Sequence, residues 1–504
     1  MNILFITADQ WRGECLSALG HPVVKTPHLD RLAKESTVFR QHYAQAAPCA
    51  PSRTSMHTGM YMHNHRCVNN GTPVDSRFSN WALEMRAAGY DPSLFGYTDT
   101  ARDPRGMKQN DPRLTHYSEP LPGIGGYTPY RSDVSVEWVD SLVDKGYPIP
   151  DIPQKLYGEK VAGSEWEDGG EFPLPLAISA EDHETHYMVD RCMDWIRDQQ
   201  KPWITHLSLL RPHPPFVVPE PYNQKYDPGT LPVPERSDTA EQEAMQHPFL
   251  DYCLQQPKAR APESDRVMQR TLASYYGLIS EVDDNLGRLF QLLKQNGEWD
   301  STFIIFTSDH GEQMGDHWLT GKLGYFDQSY HIPLIIRDPR PAADPTRGKQ
   351  FDAFSENVDL MPTMLDWLGL DIPAQCDGQS LMPFIHTGRA PESWRSEVHW
   401  EYDFRDPHFS PGPAGFEFGA HQSSLSVIRD RRYKYVHFTA LPPLLFDLQR
   451  DANEYINLAD DPEYQSLLLK YAQKMLSWRM KHTDRGLTEI LLTEAGPVTT
   501  RSAL

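Results

Sequence analysis

The sequence predicts an α/β protein with a mostly parallel central sheet flanked by helices, followed by a smaller antiparallel sheet with a helix. Short apolar runs typical of buried strands alternate with helical patterns through most of the chain. The strand-like runs are residues 2–7, 203–209, 302–307 and 333–336, and the helical patterns cover about 185–199, 267–295 and 358–368. After about Gly388 the pattern changes to short strands at 427–430, 433–436 and 444–448, followed by a helix at about 463–481.

Length and composition indicate two folded domains and a tail. The chain has 504 residues, of which 39% are hydrophobic, which is enough to bury a sizeable core. We predict a large domain over residues 1–387, a small α+β domain over 388–484, and a tail over 485–504 that is a candidate arm for oligomerisation. Two stretches rich in Pro, Gly and charge, at about 101–181 and 217–263, are predicted to be long insertions that cap a site or make subunit contacts.

The first helix is predicted to begin after Thr26. A threonine followed by Pro27 is typical of a helix start, with the threonine side chain as N-cap and proline in the first turn.

The charge balance excludes two classes of partner. Lys and Arg total 48 and Asp and Glu total 69, which gives a net charge of −21 at pH 7. We therefore expect neither nucleic acid nor an anionic membrane as the main partner. A site for a small anion must then build its own local positive field.

The cysteines and the N-terminus indicate the compartment. The six cysteines are scattered without a C-x-x-C pair, so neither a zinc knuckle nor a disulfide scaffold is predicted. The N-terminal apolar run is too short for a signal peptide, and no run approaches the roughly 18 apolar residues of a membrane span. We expect a cytoplasmic protein.

Two motifs carry candidate chemistry. The first is the string Cys49-x-Pro51-x-Arg53, although a lone cysteine is more often a small buried hydrophobe. The second is a pair of strand ends, where Asp9-Gln10 follows residues 2–7 and Asp309-His310 follows residues 302–307. Each strand end taken alone could also be explained by an aspartate that caps the turn after the strand. Because both strand ends deliver an acid and a second polar group, an oxygen and nitrogen metal site is the simplest interpretation.

The order of these motifs resembles the sulfatase branch of the alkaline-phosphatase superfamily. The matching residues are, in order, Asp9, Cys49-x-Pro51-Ser52-Arg53, Thr58-Gly59, Ala88-Gly89-Tyr90, Asp309-His310-Gly311, Lys322 and Phe446-Asp447-Leu448. The arylsulfatase/phosphonate monoester hydrolase group is the most similar. It is indicated by Gln10 where many sulfatases carry a second acid, by His310 where many carry Asn, and by 95–98 where many carry a Gly-Lys-Trp-His string. The resemblance implies an alkaline-phosphatase-like fold.

The resemblance implies a modified nucleophile and one metal ion. Cys49 would be converted to formylglycine by a formylglycine-generating enzyme, and the hydrate of that aldehyde is a geminal diol. One hydroxyl of the diol attacks sulfur or phosphorus, and proton loss from the other re-forms the carbonyl and releases the oxyanion. Asp9, Gln10, Asp309 and His310, with the diol oxygen at position 49, would hold one divalent ion. The nitrogen and amide ligands favour manganese, with calcium or zinc as alternatives.

The resemblance also implies roles for residues around the nucleophile. Arg53 would orient the diol and neutralise charge, Lys322 would reach an ester oxygen, and His213 would act at the leaving group. The implied substrate-binding residues are Asn70, Tyr97 and Thr98. Asp99 stands where we expect a hydroxyl residue. Two other histidine-containing strings, Asp316-His317 and His63-Asn64-His65, are predicted to be structural.

These features predict a metal-dependent hydrolase of sulfate and phosphonate monoesters, and also of phosphodiesters. Its substrate would be a small anionic ester, and the resemblance implies a homo-oligomer, with tetramers common in the group. Two alternatives stay open at this point. One is a two-metal phosphatase or phosphodiesterase of the same superfamily, and the other is a non-catalytic protein that binds an anion.

Overall fold

The structure is a computed structural model, and it describes residues 1–129, 135–158, 173–405, 416 and 418–499. The strands are, in chain order, β1 (Asn2–Ala8), β2 (Thr37–Tyr43), β3 (Ala46–Ala47), β4 (Ser93–Gly96), β5 (Gly126–Pro129), β6 (Ile204–Leu209), β7 (Thr302–Thr307), β8 (His331–Ile332), β9 (Leu334–Arg337), β10 (Gln350–Glu356), β11 (Val398–Asp403), β12 (Ser424–Arg429), β13 (Tyr433–Phe438), β14 (Leu444–Asp447), β15 (Ile490–Thr493) and β16 (Gly496–Thr499). The α-helices are α1 (Pro27–Lys34), α2 (Cys49–Thr58), α3 (Met62–His65), α4 (Trp81–Ala87), α5 (Val136–Asp144), α6 (Glu184–Arg197), α7 (Ala240–Ala244), α8 (Pro248–Leu254), α9 (Asp265–Gln295), α10 (Asp327–Tyr330), α11 (Leu360–Leu368), α12 (Met382–Thr387) and α13 (Gln465–Lys481).

The larger sheet has the strand order β10-β2-β9-β7-β1-β6-β4-β5, and β8 pairs with β2. Its pairings are parallel except those that β9 makes with β7 and β2 and the one between β8 and β2. Thr7 of β1 lies opposite Ser208 of β6 on one side and Thr307 of β7 on the other. The carboxyl ends of these three strands are therefore level, and the predicted mostly parallel sheet is confirmed.

Helices cover both faces of this sheet, which is why β1, β6 and β7 are buried along their whole length. The alternation of side chains along β1 shows the two layers. Leu4 and Ile6 lie in a core cluster with residues of α1, α6 and α9, whereas Ile3 and Phe5 lie in a separate cluster with residues of α4 and α11. Strands buried on both faces read as continuous apolar runs, which is how the sequence revealed them.

The smaller sheet has the order β14-β13-β12-β11-β3. Its pairings are antiparallel except that between β11 and β3, and α13 packs on it through Tyr471, Met475 and Trp478. The predicted C-terminal sheet and helix are confirmed. The sheet also takes in Ala46–Ala47 from the N-terminal part of the chain, directly before Cys49, which the sequence did not predict.

The predicted start of α1 at Pro27 is confirmed, but the predicted side-chain cap from Thr26 is wrong. Thr26 makes no side-chain cap hydrogen bond; its hydroxyl instead bonds to Ser17 and Asp30. The first free N–H groups of the helix, those of His28 and Leu29, donate to the carboxylate of Asp283 on α9 at 3.0 and 2.8 Å. A carboxylate also complements the positive end of the helix dipole, so a tertiary contact replaces the local cap.

The two predicted insertions contribute ordered elements. The first supplies α5 and the edge strand β5, although its residues 130–134 and 159–172 lie outside the described part of the chain. The second supplies α7 and α8, and Phe249 of α8 packs against Phe404 and Phe438 beside the smaller sheet. The predicted tail contains the β15–β16 hairpin, and 500–504 lie outside the described residues. Among the described residues, every helix is too short or too polar to cross a membrane.

A row of four charged side chains joins α9, α6 and the segment after β6 in the interior. His183 lies between two carboxylates, with Nδ1 at 2.6 Å from Glu281 and Nε2 at 2.6 Å from Glu184. Arg211 continues the row, with Nε at 2.5 Å from Glu184. The side chains of His183, Glu184, Arg211 and Glu281 are fully buried, so the charges must balance one another. They balance when His183 is protonated.

This row predicts a pH-dependent stability. Burial alone would lower the pKa of His183, but Glu184 and Glu281 raise it to about 9. Because the pKa is raised on folding, the stabilising contribution is complete below about pH 6.5 and is lost as the pH rises through about 9. We expect a loss on the order of 3 kcal/mol in the free energy of unfolding across that range. Urea unfolding between pH 6 and 10 measures it, with His183→Gln as the control that cannot titrate. Parallel curves for the two proteins would contradict the prediction.

Candidate active site

The carboxyl ends of four neighbouring strands, β7, β1, β6 and β4, meet at one edge of the larger sheet. Asp9 and Gln10 follow β1, and Asp309 and His310 follow β7. Ser208 lies near the end of β6, and Tyr97 follows β4. Open α/β sheets bind ligands at this edge. The sequence separates these residues by up to 301 positions, and the strand order brings them together.

Two glycines allow the close approach of main chain that this edge requires. A Cβ at Gly96 would lie 1.9 Å from the carbonyl oxygen of Ser208, and one at Gly311 would lie 2.0 Å from that of Gln328. Any other residue at either position would displace the neighbouring backbone.

Cys49 is the first residue of α2, whose N-terminus is held against the end of β7. The side-chain oxygen of Asn70 accepts a hydrogen bond from the Ala50 N–H at 2.9 Å. The Ser52 hydroxyl donates to the carbonyl of Asp309, and Asn357 donates to the Ser52 hydroxyl at 2.9 Å. These contacts fix the cysteine at the positive end of a helix, an environment that favours anions.

Four buried side chains form a cluster with the composition of a metal site. Asp9, Cys49, Asp309 and His310 each place one ligand atom within 4.8 Å of the others. The sulfur of Cys49 lies 3.1 Å from Nε2 of His310. Nδ1 of His310 lies 3.0 Å from the carbonyl of Gly311 and so carries the proton, which leaves the lone pair on Nε2 for the cluster. Burial and Lys322 lower the pKa of His310 to about 3, so the ring is neutral, as a ligand must be.

One atom of this cluster lacks a hydrogen-bond partner. Oδ1 of Asp9 is buried and accepts no hydrogen bond from any described residue. A buried carboxylate oxygen without a partner is costly, and a cation bound there would compensate for it. The donor set of two carboxylates, an imidazole and position 49 therefore fits a divalent ion.

Arg53 lies between the carboxylates of Asp9 and Asp309 and bonds to both. Its Nε donates to Asp309 at 2.9 Å and its Nη2 to Asp9 at 3.0 Å, while its Nη1 donates to the Ser208 hydroxyl at 2.8 Å and to the Tyr97 carbonyl at 3.1 Å. The guanidinium also lies 4.2 Å from the centre of the Tyr97 ring. Arg53 thus places a positive charge between the two carboxylates, and its contacts fix Asp9 and Asp309 relative to each other. Its predicted role toward a diol at position 49 stays a prediction.

Gln10 lies beside the cluster, with its amide held from both sides. Its Nε2 donates to Glu312, and its Oε1 accepts from Nζ of Lys322 at 2.6 Å. Its main-chain N–H donates to Asp309 at 3.2 Å. The structure places Gln10 at the site, and its role as a metal ligand stays a prediction.

Lys322 brings a positive charge to the site, and His213 brings a ring that can carry a proton. Burial alone would lower the pKa of Lys322, but Cys49, Asp9 and Asp309 raise it above its usual value, so the amine stays charged. Nδ1 of His213 lies 2.7 Å from the carbonyl of Pro214, which leaves Nε2 available. Burial and Lys322 lower the pKa of His213 to about 3.

The thiol of Cys49 is a weak nucleophile in this setting. Burial and the neighbouring Asp9 raise its pKa well above the usual value. A thiol that holds its proton reacts slowly, because the thiolate is the nucleophilic form.

Two of the predicted substrate-binding residues, Tyr97 and Thr98, carry hydroxyl groups, and these groups have different partners. The Tyr97 hydroxyl donates to Asp9, so it is part of the cluster's surroundings. The Thr98 hydroxyl donates to the carbonyl of Glu119 at 3.3 Å and accepts from the Thr100 hydroxyl at 3.1 Å. Asp99 lies beside the site, with Oδ2 3.9 Å from Nε of Arg53, and its φ of 50° places it in the left-handed region. The substrate contacts of Asn70, Tyr97 and Thr98 stay predictions.

The two other histidine-containing strings have structural contacts. His317 Nδ1 lies 2.5 Å from Glu243, and the Arg12 guanidinium pairs with Asp316 at 3.0 Å. His63 Nδ1 lies 3.0 Å from Glu401. A second potential ligand group within the described ranges, His28 with Asp283 and Asp284, is already occupied, because Asp283 caps α1.

Sequence reasoning missed three residues that hold the site. Glu312 orients the Gln10 amide, Ser208 supports Arg53, and Asn357 supports Ser52. Glu312 follows the Asp309-His310-Gly311 string and could have been suspected. The other two carry no local signal.

Comparisons with known proteins agree with this architecture. The sequence pattern of the Sulfatase family matches residues 1–370, and that of the family described as N-sulphoglucosamine sulphohydrolase, C-terminal, matches residues 315–481. The multifunctional alkaline phosphatase superfamily protein PehA of Trinickia caryophylli is 40% identical over 520 residues, which cover 99% of each chain. An arylsulfatase of Clostridium perfringens is 29% identical, over 97% of this chain and 96% of the relative. The crystal structure of a phosphonate monoester hydrolase from Agrobacterium radiobacter superposes with a TM-score of 0.92 at 43% identity, over 99% of this chain and 100% of that one.

The cluster predicts one tightly bound divalent ion per chain. Asp309→Asn removes a charged ligand and should weaken manganese binding by at least about tenfold. Metal analysis after dialysis against limiting Mn²⁺ measures the content, and circular dichroism checks the fold. Asp284→Asn, in the His28 group, is the matched control and should keep the wild-type content. Equal metal in Asp309→Asn and wild type would refute the assignment.

Proposed function

The chain belongs to the sulfatase family, and from that premise we propose that it hydrolyses sulfate and phosphonate monoesters, and also phosphodiesters, with a formylglycine hydrate at position 49 as nucleophile. The observation that carries the proposal is the position of Cys49. It begins α2, and its sulfur lies among two carboxylates and an imidazole suited to a divalent ion. The names of the relatives, which include an arylsulfatase and a phosphonate monoester hydrolase, support the substrate class.

Two groups that the family implies fit the residues present. Asp9, Asp309 and His310, with Gln10 beside them, would hold the ion, and manganese is favoured by the imidazole nitrogen. The ion would supply Lewis acidity toward an anionic ester. A geminal diol at position 49 would supply one hydroxyl for attack and a second whose ionisation releases the oxyanion. A formylglycine-generating enzyme is the proposed maturation partner.

The remaining steps rest on this chain's own side chains. Lys322 is charged and near the cluster, so it binds an oxygen of the ester. In the protonated form, which a bound anionic ester favours, His213 gives a proton to the departing alcohol oxygen as its bond to sulfur or phosphorus breaks. Arg53 donates hydrogen bonds to Asp9, Asp309, Ser208 and Tyr97, so it holds the site in place.

The charge of the site favours singly charged esters. Arg53 is paired with two carboxylates, and Asp99 adds a further negative charge 3.9 Å from it. Lys322 and the proposed ion are then the main attraction for an anion. Repulsion from Asp99 penalises a dianionic phosphate monoester more than a monoanionic sulfate or phosphonate ester.

The conversion of Cys49 is directly measurable. In active protein we expect the tryptic peptide 41–53 to be lighter than its cysteine form by about 18 Da. Cys49→Ala should lower turnover of aryl sulfate and phenyl phosphonate esters by at least about 1000-fold. Cys49→Ser should complete one attack and then stall, because a single hydroxyl cannot expel the bound oxyanion by re-forming a carbonyl.

The controls separate this mechanism from its alternatives. Both variants should keep the wild-type fold, and Cys49→Ser, which keeps an oxygen at position 49, should also keep the metal content. A fully thiol-containing preparation with full activity, or an active Cys49→Ala, would refute the proposed nucleophile. Wild-type protein that carries formylglycine but turns over no ester would favour an anion-binding protein.

We also propose that the chain forms a homo-oligomer, with a tetramer as the expected state. The β15–β16 hairpin supports this, because it exposes Leu491 by 58% and Leu492 by 84%. Large apolar side chains exposed together are typical of interaction surfaces, and a second copy of the same hairpin is a self-complementary partner.

Light scattering at micromolar concentration tests the assembly. The wild type should have a mass of several chains, and Leu491→Asp with Leu492→Asp should lower it. Met245→Asp is the matched control, since Met245 is 79% exposed on a different element. A monomeric wild type would refute the proposal, and so would an unchanged mass for the double variant.

A further inference from the structure

Arg211 holds the main chain that carries His213. Its Nη1 donates to the carbonyl of His213 at 2.7 Å and to that of Pro215 at 3.1 Å. The intervening carbonyl, that of Pro214, lies 2.7 Å from Nδ1 of the His213 ring itself. Three successive carbonyls are therefore used to fix this loop, two by Arg211 and one by the imidazole.

Arg211 is itself fixed from the opposite side. Its Nε bonds to Glu184, the first residue of α6, and its guanidinium lies 4.3 Å from the centre of the Tyr157 ring. Glu184 is paired with His183, which is paired with Glu281 in the middle of α9. A buried arginine with a carboxylate on one edge and two carbonyls on another has little freedom to move. The row thus fixes the loop that carries His213 relative to helices α6 and α9.

We propose that the row of Glu281, His183, Glu184 and Arg211, called here the His213 brace, positions His213 for proton transfer to the leaving group. The inference rests on the proposed function and adds positioning residues to it. None of the four needs to touch the substrate. Their effect passes through the orientation of the His213 ring.

The orientation of the His213 ring matters because only one of its nitrogens can give a proton to the leaving group. Nδ1 is used by the Pro214 carbonyl, so Nε2 must deliver the proton, and it can do so only when the ring is protonated. A bound anionic ester favours that charged form. As the bond from sulfur or phosphorus to the alcohol oxygen breaks, the proton moves from Nε2 to that oxygen, and water later restores it to the ring. A shift of about 1 Å in such a donor can lower the rate by about 100-fold.

The test is a double-mutant cycle with leaving groups of different basicity. Glu184→Gln keeps the shape of the side chain and removes the charge that anchors Arg211. We expect it to lower kcat by about 10- to 100-fold for an alkyl or unsubstituted phenyl ester, with little change in KM. The loss should be small for a p-nitrophenyl ester, whose alcohol leaves without a proton. In a His213→Ala background, Glu184→Gln should have no further effect on kcat.

Asp190→Asn is the matched control. Asp190 lies on α6 and forms its ion pairs with Arg288 of α9 and with His186 of α6, so it belongs to the same helix pair without being part of the row that ends at the His213 loop. It should leave kcat for every ester near the wild-type value. If Glu184→Gln fails to fold, Glu281→Gln at the far end of the brace replaces it and should give the same leaving-group dependence.

The outcomes separate this inference from the function on which it rests. An equal loss for good and poor leaving groups, or an undiminished loss in the His213→Ala background, would overturn the brace and leave the proposed hydrolysis standing. A wild type without turnover of any of these esters would overturn both.

Discussion

The active site depends on one buried guanidinium between two carboxylates. Asp9 and Asp309 come from different strands, and each accepts a hydrogen bond from Arg53 at about 3 Å. Without that positive charge, two ionised carboxylates in the interior would repel each other and would be strongly destabilised by the loss of water. Arg53 and Lys322 bring two positive charges to three acids, Asp9, Asp309 and Asp99, so the cluster keeps an excess negative charge. That excess, together with the free Oδ1 of Asp9 among the described residues, is what makes a divalent cation the natural ligand.

The rest of the fold presents groups to this centre from several directions. The order β7-β1-β6-β4 aligns the strand ends, and β3 ties the segment before Cys49 to the C-terminal sheet. Helix α2 is therefore anchored at its start by the smaller sheet and along its first turn by Ser52 and Asn357. The two sheets meet next to Cys49, which explains why a C-terminal α+β unit contributes to a site whose carboxylates come from the larger sheet.

Much of the fold and the core of the site could be predicted from the sequence. Residues buried on both faces of a sheet leave continuous apolar runs, so β1, β6 and β7 were visible, and the polar residues that end them marked the site edge. The roles of Glu312 and Ser208 could not be predicted, since each depends on which side chain folds against it. For the same reason the sequence predicted the wrong cap for α1. The sequence offers a local hydroxyl, but α9 delivers the carboxylate of Asp283 to the helix end from more than 250 residues away.

Two arginines, Arg211 and Arg53, are buried near this sheet edge. The balance of charges around each one distinguishes an array that supports a loop from an array suited to binding a ligand. In the brace, Arg211 and protonated His183 face Glu184 and Glu281, so positive and negative charges are equal and a ligand would disturb them. Around Arg53, the acids Asp9, Asp309 and Asp99 outnumber the positive charges. Lys322 supplies the second of those charges and bonds to Gln10 beside them. A folded protein can tolerate such an imbalance in its interior only where something else supplies the missing charge. The balanced array therefore suits the support of a loop, and the unbalanced one is where we propose that a cation and an anionic substrate are brought together.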